Sequence, residues 1–82
     1  MLKNSFEKKL ISIFKKQLRI KNFKKNSRIN SYVSWDSLSN LNILLQIEKE
    51  FSIKFNSIEF NSLNTYKEIY SNVYEKIRKR SK

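Results

Sequence analysis

Asp36, Ser37 and Leu38 stand together at the head of a long apolar-periodic stretch, SLSNLNILLQIEKEFSIKF. A serine placed there could do one of three things. As a nucleophile it would need an adjacent base to take its proton, and the chain contains neither histidine nor cysteine. As a helix-start residue it would assist Asp36, whose short carboxylate suits the unpaired amides of a first turn. As an attachment point for a phosphate-bearing group it would profit from those amides and from the positive end of the helix dipole, both of which stabilise a phosphodiester. The first option is poor, and the third accounts for the position. Without cysteine there is no disulfide, thiolate or cysteine zinc site, and without histidine the usual general base and metal ligand are missing. No catalytic residue and no metal site are therefore expected.

The elements that must position this serine are read from periodicity, because the chain has no glycine and no proline to mark its turns. Asparagine is the expected substitute where a left-handed backbone is needed. Asn4 with Glu7 reads as a capping box, followed by Phe6, Leu10, Ile13, Phe14 and Leu18 at helical spacing, which predicts a helix over 4–19. Residues 20–36 read as a long basic loop pinned by Phe23, Ile29, Tyr32 and Val33, with continuation of the first helix to about Lys25 as the alternative. Asp36 as N-cap, with Leu38, Leu41 and Leu45 and a face widened by Leu44 and Ile47, predicts a helix over 37–51. Trp35 just before it reads as a loop anchor packed on the core. Asn56 or Ser57 caps a short helix over 57–62. Thr65 and Glu68 form a second capping box for a helix over 65–79, with Tyr66, Ile69, Tyr70, Val73 and Ile77 inward and a basic tail to 82. The expectation is a single domain, 1–82, all-α, a small antiparallel bundle of three main helices and one short one.

Charge is unevenly placed. The formal net charge is +11, yet residues 1–34 hold ten Lys or Arg against one acid, residues 35–75 hold three against six, and residues 76–82 hold five with none. The basic ends read equally well as solvated faces or as a partner surface. No apolar run approaches the roughly 18 residues of a membrane span, and the N-terminus lacks the apolar block of a secretory signal, so a cytoplasmic monomer is expected.

The segment WDSLSNLNILLQIEKEFSIKF resembles the part of acyl carrier proteins that surrounds their 4'-phosphopantetheine attachment serine. Asp-Ser-Leu is followed by apolar residues at helical spacing and then by Ile47, Glu48, Glu50, Phe51, Ile53 and Phe55 at the family's spacing. The preceding helix, long loop, short third helix and Leu63-Asn64-Thr65 turn agree in pattern over nearly the whole chain. The resemblance implies that Ser37 is esterified from coenzyme A by a separate phosphopantetheinyl transferase, so that the chain is a carrier and not an enzyme. It implies Asp36, Leu38, Glu48 and Glu50 as contacts for acyl-loading and acyl-transfer enzymes in fatty-acid or specialised lipid or metabolite synthesis. It further implies an acyl space among Leu41, Leu45, Phe51, Phe55, Ile58, Ile69 and Val73. The chain departs from the family in lacking a Gly two residues before Asp36, where Ser34 stands, and in the neutral Ser39, Asn40, Asn42 and Gln46 on a helix that is acidic in many members.

Two readings compete. A small helical nucleic-acid-binding protein would use Lys8, Lys9, Lys15, Lys16, Arg19, Lys21, Lys24, Lys25 and Arg28, with Tyr and Phe for stacking. Ranked below it is a basic first helix lying on an anionic membrane.

Overall fold

Apolar residues at three- and four-residue spacing close the chain into four helices, which a computed structural model describes over residues 2–80. They are α1 (Leu2–Leu18), α2 (Ser37–Phe51), α3 (Ser57–Ser62) and α4 (Tyr66–Arg80). Ser81 and Lys82, the end of the expected basic tail, lie outside the described residues. There is no strand among the described residues, only an isolated bridge between Arg28 and Thr65. No helix among them is long and apolar enough to cross a membrane.

The α1 stripe behaves as its spacing demands: Phe6, Leu10, Ile13, Phe14 and Leu18 are all buried. The helix begins two residues earlier than expected, at Leu2, which puts Asn4 inside its first turn; the Asn4 side chain of the expected capping box lies outside what is described. Glu7 is occupied elsewhere, accepting from the Tyr66 hydroxyl at 3.1 Å and pairing with Lys25 Nζ at 3.2 Å. Nor does α1 run on to Lys25. Arg19 turns left-handed at φ 58°, and the Ile20 amide donates back to Lys15 O at 3.1 Å, which closes the helix C-terminus.

The loop over residues 19–36 has no regular structure, yet it is fastened at several points. Ile29 N donates to Asn64 O at 2.8 Å and Tyr66 N donates to Ser27 O at 3.0 Å, tying the loop to the entry of α4. The Tyr32 hydroxyl accepts from Lys24 N at 2.9 Å and from the buried Ser27 hydroxyl at 3.2 Å. Phe23, Ile29 and Tyr32 pack against the core as expected, whereas Val33 is fully exposed. Asn30, at φ 74°, is the expected asparagine in a left-handed turn; among the described residues Arg19 and Ser52 also take that conformation.

In α2 the buried arc is Asn40, Ile43, Leu44 and Ile47, and the leucines Leu38, Leu41 and Leu45 face out. This corrects the expected inner face. Apolar residues at 38, 41, 43, 44, 45 and 47 cover more than half the helix circumference, so spacing alone left the inward direction open. Asn56 caps α3 with a complete capping box: its side chain accepts from Glu59 N at 2.8 Å, and Glu59 Oε1 accepts from Asn56 N at 2.9 Å. At α4, Thr65 Oγ1 accepts from Glu68 N at 3.1 Å, but the Glu68 carboxylate reaches Asn64 N, at 3.3 Å, in place of the Thr65 amide. Tyr66, Ile69 and Val73 are buried on α4, with Tyr70 and Ile77 partly so.

Candidate functional site

Ser37 is the first residue of α2 and is exposed. Asp36 precedes it in an extended conformation (φ −106°, ψ −173°), and its Oδ1 accepts from Ser39 N at 2.9 Å. The Ser39 amide, followed by the Ser39 hydroxyl, holds the Asp36 carboxyl below the usual aspartate value. Asp36 thus performs the cap, and the Ser37 hydroxyl has no hydrogen-bond partner among the described residues. A free, exposed hydroxyl at the start of a helix can accept a phosphodiester without unmaking a contact of the fold.

What fixes the serine lies on either side of it. Trp35 is wholly buried, its ring edge-on to Phe14 at 5.3 Å and tilted toward Phe23 at 6.1 Å. Its Nε1 donates to Asn40 Oδ1 at 3.0 Å, and Asn40 Nδ2 donates to Leu63 O at 3.0 Å. The first turn of α2 is therefore anchored before and after Ser37 to buried groups, one on the loop side and one on the α3–α4 side. Sequence reasoning took Asn40 for a neutral surface residue and passed over Ile43. The usable signal was Trp35 itself, since a buried indole N–H requires an acceptor and Asn40 lies on the same helical arc as Ile43, Leu44 and Ile47.

Around the serine the surface is apolar. Leu38, Leu41 and Leu45 are 67%, 41% and 46% exposed on one stripe of α2, and Ile58 on α3 is 75% exposed. The side chains expected to border an acyl space therefore divide in two. Leu41, Leu45 and Ile58 are on the outside; Phe55, Ile69 and Val73 are buried in the core, and Phe51 is half-buried with its ring 5.5 Å from Phe6. Seating a chain against Ile69 and Val73 requires the packed helices to part.

The acids expected to meet partners are engaged within the protein. Glu48 turns its Oε2 to accept from Phe55 N at 2.7 Å, which holds the chain leaving α2. Glu50 is 4.0 Å from Lys9 of α1, an exposed pair of small energetic weight. Glu59 is tied into the fold more strongly: Oε2 accepts from Asn72 Nδ2 and from Lys76 Nζ, each at 2.9 Å, and Lys76 in turn sits 5.6 Å from the Phe55 ring centre. Burial alone would raise the Glu59 carboxyl, but donors from Asn72, Asn56 and Lys76 outweigh it and the carboxyl lies below its usual value. Tyr66 is pushed well above the usual tyrosine range by burial, by the Glu7 charge and by its hydrogen bond to Glu7.

Comparison of the chain with protein-family models, with curated proteins and with solved structures gives no match.

Proposed function

We propose that the protein is a carrier of acyl or aminoacyl groups, loaded as thioesters on a 4'-phosphopantetheine arm joined to Ser37. The observation that carries the proposal is the exposed, unpartnered Ser37 hydroxyl held in place by buried neighbours on both sides, Trp35 and Asn40. The order of elements supports it: a first helix, a long fastened loop, a helix that opens on Asp-Ser-Leu, a short helix and a last helix. That order resembles the acyl carrier proteins whose attachment segment the chain's own residues resemble.

In attachment, the Ser37 oxygen bonds to the phosphorus of the pantetheine phosphate of coenzyme A, and the bond from that phosphorus to the adenosine bisphosphate leaving group breaks. The serine proton passes to a base of the separate phosphopantetheinyl transferase, so the chain needs no histidine of its own. The attached group supplies a thiol on a flexible arm. This chain's residues would hold its root: the positive end of the helix dipole would favour the phosphodiester, Asp36 keeps the turn closed, and Leu38, Leu41 and Leu45 offer an apolar surface that a visiting enzyme would cover.

Coexpression with a permissive phosphopantetheinyl transferase tests this reading by intact mass. The wild type should gain the mass of one phosphopantetheine, and Ser37→Ala should gain nothing. A wild type left unmodified by several transferases overturns it.

A further inference from the structure

We infer that the outer face of α1 is a docking surface for an anionic phospholipid bilayer. At 100° per residue, Lys8, Lys9, Lys15 and Lys16 fall on an arc of about 120°, opposite the stripe that enters the core, and the exposed Arg19 follows in the turn that closes the helix. No acid lies on that arc. Of these five, only Lys9 has a carboxylate partner, Glu50 at 4.0 Å; the others make no ion pair among the described residues. The surface is continuous. One shallow hollow is walled by Glu7, Lys8, Ile11 and Lys25, and the next by Lys8, Ile11, Ser12, Lys15, Lys16 and Ile20. Ile11 and Ile20, partly buried against the core, border the basic residues, so the face carries an aliphatic edge as well as cations.

That combination separates a bilayer from a nucleic acid. Both present phosphates to lysine. A single strand also needs exposed rings on which bases stack, and the rings nearest this face are not free. Phe6 and Phe14 are buried, while Phe23 and Tyr32 stack on each other at 5.9 Å, with the Tyr32 hydroxyl engaged by Lys24 N and Ser27. Isoleucines gain nothing against a duplex backbone. At a bilayer surface both parts of the face are used: lysine heads meet headgroup phosphates, their stems lie along the boundary, and the part of Ile11 and Ile20 left uncovered by the core is shielded from water. The apolar stripe of α1 stays in the core, so the helix rests on the surface and does not enter it.

Co-sedimentation with vesicles tests the inference, independently of whether Ser37 carries an arm. Binding is expected to vesicles of phosphatidylcholine mixed with phosphatidylglycerol at low salt, to weaken steeply at high salt, and to be absent with phosphatidylcholine alone. Reversing Lys8, Lys15 and Lys16 to Glu should weaken it about tenfold or more, whereas reversing the exposed Lys49, Lys54 and Lys67 to Glu, the same change in net charge, should leave most of it. Helix content by circular dichroism accompanies each variant, and Lys8, Lys15 and Lys16 to Gln replaces the reversal if that one unfolds. No partition into the anionic vesicles at low salt, equal loss in both triple variants, or a single-stranded oligonucleotide held at a salt concentration that releases the vesicles each overturns the inference.

Discussion

The Trp35 indole donates to the side-chain carbonyl of Asn40 at 3.0 Å, and the same Asn40 side chain donates to Leu63 O at 3.0 Å. One buried amide thus joins the loop, the first turn of α2 and the chain between α3 and α4. Asn40→Leu leaves both the indole N–H and the Leu63 carbonyl unpaired and should cost about 1–3 kcal/mol. Adding Trp35→Phe to Asn40→Leu should cost less than the sum of the two single changes, read by urea unfolding.

The cap and the proposed attachment point fall on adjacent residues, Asp36 and Ser37. Ser37→Ala should leave the melting temperature nearly unchanged, since the serine makes no contact that the fold uses. Asp36→Ala should lower it at neutral pH. The Asp36 carboxyl lies below its ordinary value of 3.8 in the fold, so its contribution is present above that value and is lost as pH falls through the folded one. The two proteins should therefore converge in thermal melts at strongly acidic pH.

Glu59 gathers the Asn56 amide, Asn72 and Lys76 on one carboxylate. Glu59→Gln removes the charge and one acceptor and should cost about 1 kcal/mol at neutral pH. Because the folded value lies below the ordinary 4.5, that stabilisation is complete above 4.5 and fades as pH drops through the folded value. Unfolding curves at neutral and acidic pH should show the gap between the two proteins narrowing.

Of the four tyrosines in the chain, Tyr66 is the one held to Glu7. Its folded value is raised, so the bond contributes stability below the ordinary 10.0 and loses it as pH climbs through the folded value. Absorbance titration should show a phenol ionising well above the ordinary value, and that late step should be missing in Tyr66→Phe.

Arg19 carries a side chain where the backbone is left-handed, at φ 58°. A left-handed residue with a Cβ costs roughly 1–2 kcal/mol, and the looser unfolded chain of a glycine offsets part of the gain. Arg19→Gly should raise stability by about 0.5–1 kcal/mol in urea unfolding.

Helices were legible where apolar residues made one narrow stripe. In α1 and α4 the stripes Phe6 to Leu18 and Tyr66 to Ile77 pointed inward as spacing required. In α2 six apolar positions spread over two arcs, and the choice between them depended on Asn40, a polar side chain whose burial is worthwhile only because Trp35 and Leu63 complete its hydrogen bonds. Val33 misled for a related reason: an apolar residue in a basic loop looks like an anchor, while the anchoring is done by backbone bonds from Ile29 and Tyr66 and by the Tyr32 hydroxyl, none of which leaves a hydropathy pattern. The place of Ser37 at the start of α2 was legible from its neighbours. Its freedom from internal bonds was not, because it depends on Asp36 taking the cap alone.

Ser27 and Ile29 clasp Asn64 and Tyr66 across nearly half the length of the chain. Neither partner can take its shape until the other has been made. A nascent chain halted short of Asn64 would therefore lack the bonds that fasten the loop leading to Ser37, and that fastening comes into being only once ribosomal synthesis has delivered the start of the last helix.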